Sequence, residues 1–217
     1  MHRFKLALVV LGLLLGVLIA VTAAAGSGQK GPPPNHGKGH GKGGPNTKMR
    51  WDIINVDFGT GTLSAGGQAS ARANDNSKIT LTGSGTFRSN PGKPQAVTGG
   101  GTWTTFAPDG TTVTGSGSYK VTGFVTFTVA PGTAPLPNDT IGKPADQRAG
   151  LLVVRIGYSD GSKGTLTVSC HLVGTPDSVF EGVTATKGFV DYWNREAPPA
   201  PPGNANRTNF HVLHSSH

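Results

Sequence analysis

Three short cassettes constrain the fold of this chain more than any other feature. Thr82-Gly83-Ser84-Gly85-Thr86-Phe87, Thr98-Gly99-Gly100-Gly101-Thr102-Trp103 and Thr114-Gly115-Ser116-Gly117-Ser118-Tyr119 are one motif written three times at a spacing of 16 residues. A repeat fixes the unit of structure, and here the unit is one strand plus one turn. Period two runs through every copy in the same phase. Ile79, Leu81, Gly83, Gly85 and Phe87 share a face, as do Val97, Gly99, Gly101 and Trp103, and as do Val113, Gly115, Gly117, Tyr119 and Val121. The opposite face is mostly threonine and serine, the pattern of antiparallel strands with one face dry and the other wet.

The turns agree with this reading. Asn90-Pro91-Gly92-Lys93 and Pro108-Asp109-Gly110 are strong reversal signals. A three-residue loop at Pro108 to Gly110, with its glycine left-handed, would pair Trp103 with Gly115 and Tyr119 with Gly99, so each aromatic would cover a cross-strand glycine. Glycine inside a strand costs backbone entropy and needs a geometric return. One return is strong coiling that lets the sheet close, which is the preferred reading. The other is an open floor for a bound group, which makes Gly99, Gly101, Trp103, Gly115, Gly117 and Tyr119 the candidate ligand-cavity residues.

Further segments extend the sheet. Ile54, Val56 and Phe58 alternate with Asn55 and Asp57, and Ala69, Ala71 and Ala73 alternate with polar residues. Gly123 to Val129 continues the third copy or starts a new strand. The clearest hairpin joins Leu151–Tyr158 to Gly164–Leu172 around Ser159-Asp160-Gly161; it would pair Ile156 with Gly164, Val154 with Leu166 and Leu152 with Val168, all apolar. Cys170 falls on that inner face. A last strand is expected within Gly182 to Trp193. Glycine (34) and proline (16) are abundant, yet much of the glycine sits in these alternating stretches, and β-branched residues outweigh helix formers. The expected fold is all-β, an antiparallel barrel of about seven to nine strands, with a two-sheet sandwich as the alternative. Between Ala130 and Gln147, prolines without periodicity predict a long surface loop, a candidate functional rim.

Gly174-Thr175 followed by Phe180-Glu181-Gly182-Val183 faintly resembles the G-T-G-x-F-x-G-A stretch of allene oxide cyclase and dirigent-like barrels. The segment lacks the second glycine and carries an extra Pro176-Asp177-Ser178, so no family membership follows from it.

The ends read as address and tether. Residues 1–25 combine a basic start (His2, Arg3, Lys5), an apolar run from Leu6 to Val21 and a small-residue end, Ala23-Ala24-Ala25, which is the grammar of a cleaved signal peptide. An uncleaved anchor is the rival, and it would be the chain's one link to a membrane. Residues 26–47 are a Gly/Pro/Lys-rich spacer, expected to be disordered. The β domain is expected over 48–195. Residues 196–217 are expected to be a disordered, proline-rich, histidine-containing tail, within which Phe210, Val212 and Leu213 could add an edge strand.

The formal charge of +8 belongs largely to the ends: from Met49 to Arg195 there are 12 basic and 10 acidic residues. A nearly neutral domain without interleaved stacking aromatics argues against nucleic-acid binding. The single cysteine rules out an intramolecular disulfide. Cys170 and His171 are adjacent on one strand and point to opposite faces, so they form no thiolate dyad. His171, with Ser169 on its face, reads as solvent-facing. Asp52, Asp57, Glu181 and Asp191 could supply a carboxylate pair, while Asp75, Asp109 and Asp160 suit turns. His211, His214 and His217 recur every third residue without a rigid scaffold, too loose for a metal site. Asn138-Asp139-Thr140 and Asn206-Arg207-Thr208 match the glycosylation acceptor pattern. No catalytic residue, metal site or cofactor is assigned. The expectation is a secreted, non-enzymatic β module that binds a small or polymeric ligand, or serves structurally, at the cell surface. The alternatives are a small barrel enzyme of cyclase or isomerase type with an apolar cavity, and a carbohydrate-binding module using exposed Trp51, Trp103 or Trp193.

Overall fold

The structure is a computed structural model that describes residues 47–88 and 97–214. The expected signal segment, nearly all of the expected spacer, the expected turn at Asn90–Lys93 and His217 lie outside the described residues.

The described chain is almost entirely strand: β1 (Lys48–Asp57), β2 (Thr62–Ala65), β3 (Ala69–Arg72), β4 (Lys78–Leu81), β5 (Ser84–Arg88), β6 (Thr98–Phe106), β7 (Val113–Ala130), β8 (Asn138–Asp139), β9 (Gln147–Tyr158), β10 (Lys163–Cys170), β11 (Gly182–Lys187), β12 (Val190–Tyr192), β13 (Asn194–Arg195) and β14 (Thr208–Leu213). Six of them close a circuit. β1 pairs with β5, β5 with β6, β6 with β7, β7 with β9, β9 with β14 and β14 with β1, every pair antiparallel. The barrel expected from the repeat is therefore present, and the three cassettes are three neighbouring rungs of its wall. The other eight strands extend the sheet outward, β10-β11-β12 from β9, β4-β3-β13 from β6 and β2-β8 from β1, which takes the strand count above the expected number.

The wall can curl because it is broken where it must bend. The shared face of Ile79, Leu81, Gly83, Gly85 and Phe87 predicts one strand, but the segment splits at Thr82-Gly83. Both halves pair with β6, while on the other edge β4 meets β3 and β5 meets β1. β7 does the reverse and continues through Gly123 for 18 residues, with register shifts at Val121/Gly123 and Phe124/Thr126. Such bulges increase local twist and let one strand serve β6 from Val113 to Lys120 and β9 from Tyr119 to Ala130.

One register differs from expectation. Trp103 pairs with Gly117 and Tyr119 with Gly101, because the turn between β6 and β7 runs from Ala107 to Thr112 rather than over three residues, with a register shift beside Phe106. Asp109 makes the longer turn favourable by accepting from the N–H groups of Thr111 and Thr112 at 2.7 and 2.8 Å. Each aromatic still covers a glycine, displaced by two residues. The β9–β10 hairpin has the expected register at Ile156/Gly164, Val154/Leu166 and Leu152/Val168.

The core lies inside the curl. Trp51, Ile79, Leu81, Leu152, Leu166, Val168 and Cys170 are fully buried, and Trp103 and Tyr119 are 4% and 2% exposed. Phe87 packs against Phe127 and Phe210, with ring centroids 4.7 and 6.2 Å away. β1 carries a second, smaller core on its other face. Met49, Trp51 and Ile53 face the barrel, whereas Ile54 and Val56 pack with Leu63, Phe58, Leu136 and Ile141 outside it.

The C-terminal boundary at residue 195 is corrected by the structure. The proline run is a connection, after which Asn204 accepts from the Val56 N–H at 2.7 Å and Asn206 from the Ser70 N–H at 2.7 Å. These amides guide the chain back so that β14 enters between β1 and β9. Phe210 thus belongs to a strand with partners on both edges, not to an edge strand or a tail. Asn206, buried and doubly hydrogen-bonded, is unsuited to glycan attachment in the folded domain.

Candidate functional site

The glycine belt proposed as a cavity floor is covered. A Cβ on Gly85 would stand 2.6 Å from Trp51 Nε1, one on Gly83 2.2 Å from the Tyr119 hydroxyl, and one on Gly117 3.0 Å from Trp103 Nε1. Gly101 is tighter still, since its Cβ would lie 2.0 Å from the Thr82 carbonyl oxygen, and Gly99 and Gly115 are crowded by Trp51 and Trp103. The rings occupy the room that the glycines leave. Two of the polar tips are committed, Trp103 Nε1 donating to the Ser118 carbonyl at 3.1 Å and the Tyr119 hydroxyl to the Thr82 carbonyl at 2.7 Å, whereas buried Trp51 Nε1 has no partner. Of the six cavity candidates, all line a packed interior.

An open cavity of about 170 Å³ lies elsewhere, outside the barrel wall and beside the second core. Ile54, Val56, Phe58, Leu63, Pro135, Leu136 and Leu172 form its apolar wall, and Gln147, His171, Glu181, Arg207, Thr208 and Asn209 its polar one. The proline-rich 131–146 loop does form a rim, through Pro135 and Leu136. It is held there by Asp139, whose Oδ1 accepts from the N–H groups of Ile141 and Gly142 at 2.9 and 3.1 Å. Its Oδ2 accepts from Gln147 Nε2 at 2.7 Å and from His211 Nε2 at 2.6 Å. Burial alone would raise this carboxyl, but the four donors outweigh it and keep Asp139 below its ordinary value. His211 is therefore a structural partner of the loop, and exposed His214 binds Asp146 at 2.7 Å. No group of three potential metal ligands occurs among the described residues.

Gln147 and Asn209 carry the polar recognition features. They sit on one face of neighbouring β9 and β14, since Gln147 pairs with His211, two residues beyond Asn209. Gln147 is 4% and Asn209 0% exposed, yet Gln147 Oε1 and Asn209 Nδ2 have no hydrogen-bond partner. One is an acceptor and the other a donor.

Across the cavity, Glu181 bridges the end of β10 to the start of β14. Its Oε2 accepts from the His171 N–H at 2.5 Å and its Oε1 from the Thr208 N–H at 2.5 Å. The residue is partly open but its carboxyl is enclosed, and burial pushes that carboxyl up to about 8 against the pull of these two donors and Arg207. His171, expected in solvent, is half-buried, with Nδ1 2.7 Å from the Val179 carbonyl oxygen. That carbonyl can only accept, so Nδ1 carries a proton and a neutral ring leaves Nε2 as an acceptor.

The other candidate acids have local duties. Asp52, fully buried, takes a bidentate pair of bonds from Arg50, with Arg50 Nη2 at 2.7 Å; Asp57 caps the Gly59 N–H at 2.8 Å; and Asp191 is exposed. Cys170 is fully buried, and burial first, then neighbouring Glu181, pushes its thiol well above the ordinary value, so it is no nucleophile. Gln147, Arg207 and Asn209 escaped the sequence reading, because no local pattern marks a buried amide whose neighbours come from distant strands. No family model, curated protein or solved structure matches this chain.

Proposed function

We propose that the domain is an exported, non-catalytic binding module whose outer cavity takes one ring or one short branched chain of a small ligand bearing an amide or carboxylic head. The observation that carries this reading is a pair of unpaired buried atoms, Gln147 Oε1 and Asn209 Nδ2, on residues that line a cavity with one apolar wall. Each unpaired buried polar group costs about 1–3 kcal/mol. A head with one donor and one acceptor removes both penalties while its apolar body leaves water. Size restricts the body: about 170 Å³ is close to the roughly 150 Å³ that accommodates a single benzene ring. The signal-like segment and the lysine-rich spacer support display outside the cell on a tether.

The test is ligand-observed NMR with benzamide, benzoic acid and toluene, comparing wild type with Leu136→Trp, which fills the cavity. Binding of benzamide over toluene, abolished by Leu136→Trp in a folded protein, is the expected result. Equal binding of toluene, or insensitivity to the filled cavity, would overturn the proposal. A second reading, a barrel enzyme of isomerase type, is favoured by the fixed proton on His171 Nδ1 beside a carboxyl raised by burial. It requires slow conversion of a bound compound that His171→Phe stops without loss of binding.

A further inference from the structure

We propose a second binding surface, on the outer face of β10 and β11, for a neutral polysaccharide. Of the three tryptophans, Trp51 and Trp103 are 0% and 4% exposed, whereas Trp193 is 70% exposed. A single exposed apolar residue needs no explanation, but Trp193 borders a hollow of about 260 Å³ whose floor is built from threonines. Thr167 pairs with Thr184 across β10 and β11. Thr165 and Thr186 stand beside them, with their hydroxyl oxygens 3.2 Å apart and the Thr165 N–H donating to Thr186 Oγ1 at 2.9 Å. Asp191, opposite Thr186 on β12 and exposed, adds an acceptor at the edge.

Chemistry identifies the occupant. None of the residues lining the hollow is charged, and the one carboxylate at its edge, Asp191, would repel rather than recognise a phosphate or a nucleic acid. A threonine hydroxyl both donates and accepts, as a sugar hydroxyl does. The face of an indole attracts the electropositive C–H face of a pyranose. Four hydroxyls on paired strands, one carboxylate and one exposed indole therefore match a pyranose ring with its C–H face on Trp193 and its hydroxyls on the threonines. The platform is held by strand pairing, so little ordering entropy is lost on binding. One such subsite binds weakly, which suits a tethered domain held near a polymer that presents many rings.

The test is a titration of the ¹⁵N-labelled protein with cellohexaose, maltohexaose and chitohexaose. At least one of them is expected to shift the amide resonances of β10 and β11 with millimolar affinity. Trp193→Ala should weaken that binding by at least about tenfold without changing Tm, Trp193→Phe should retain part of it, and Thr167→Val/Thr184→Val should weaken it several-fold. Leu136→Trp should leave it unchanged, which separates this site from the outer cavity. If none of the three oligosaccharides moves those resonances, or if Trp193→Ala binds as well as wild type, the proposal is overturned.

Discussion

Gly101 and Gly115 both belong to the glycine belt, the first at the fourth position of its cassette and the second at the second position of the next, and their neighbours differ in kind. A Cβ on Gly101 would meet backbone, the Thr82 carbonyl oxygen at 2.0 Å and the Gly83 Cα at 2.7 Å. A Cβ on Gly115 would meet only side chains, Thr105 Oγ1 and the edge of the Trp103 ring, each at 3.2 Å. Backbone in a paired strand cannot step aside, whereas a ring edge can yield a few tenths of an ångström. Gly101→Ala should therefore destabilise the domain by about 3 kcal/mol or more, the upper range for overpacking. Gly115→Ala should stay within about 1 kcal/mol of wild type, since lost strain-free space is offset by reduced freedom of the unfolded chain. Urea denaturation of both variants measures the difference. Equal losses would mean that the belt is set by ring packing alone, not by the approach of neighbouring strands.

At the scale of elements, legibility follows from whether the two faces of a strand meet different surroundings. β5, β6 and β7 have one face on the core and the other in water, so Gly85, Trp103 and Tyr119 alternate with threonine and serine, and the barrel wall could be read directly. The β9–β10 hairpin was equally open because Asp160 and Gly161 mark its turn and apolar pairs fix its register. β14 hides for the opposite reason. Phe210 faces the barrel core, but Asn209 and His211 on its other face are also buried, under the loop that Asp139 anchors. Asn209 and His211 alternate with Phe210 and Val212 as a solvated face would, so the stretch reads as an edge strand and gives no sign that both of its sides are covered. The outer cavity inherits that obscurity, because its amides come from β9 and β14, which meet only after the chain has crossed the proline run. Since β14 supplies the only described link between β1 and β9, a chain ending at Glu196 should leave the barrel open and fail to fold. Loss of dispersed amide resonances in the truncated protein is the expected readout, and a native-like spectrum would show that β14 is an accessory strand.

For the molecule as a whole, pH dependence combines groups that pull in opposite directions. Asp57, Asp75, Asp109, Asp139 and Asp160 are all held below the ordinary value; hydrogen bonds do this for the four turn aspartates, and for Asp139 the donors His211 and Gln147 overcome burial. Stability from these groups is present above the unfolded carboxyl range near 3.8 and is lost as pH falls through their folded values. Glu181 has the reverse sign. Burial raises it from 4.5 to about 8, so across that interval the native state holds a proton that the unfolded chain has released. Stability therefore falls as pH rises from about 4.5 to about 8, by on the order of a few kcal/mol in total. Together these place the maximum of Tm near pH 4.5, on the acid side of neutrality. Glu181→Gln removes the titration while keeping the side chain's length and one acceptor for the His171 or Thr208 N–H. The variant should be less stable than wild type in acid and nearly flat between pH 5 and 8, so that the two Tm profiles converge as pH rises. A wild-type decline that survives in Glu181→Gln would place the responsible proton on another group and would leave the bridge from β10 to β14 a purely hydrogen-bonded contact.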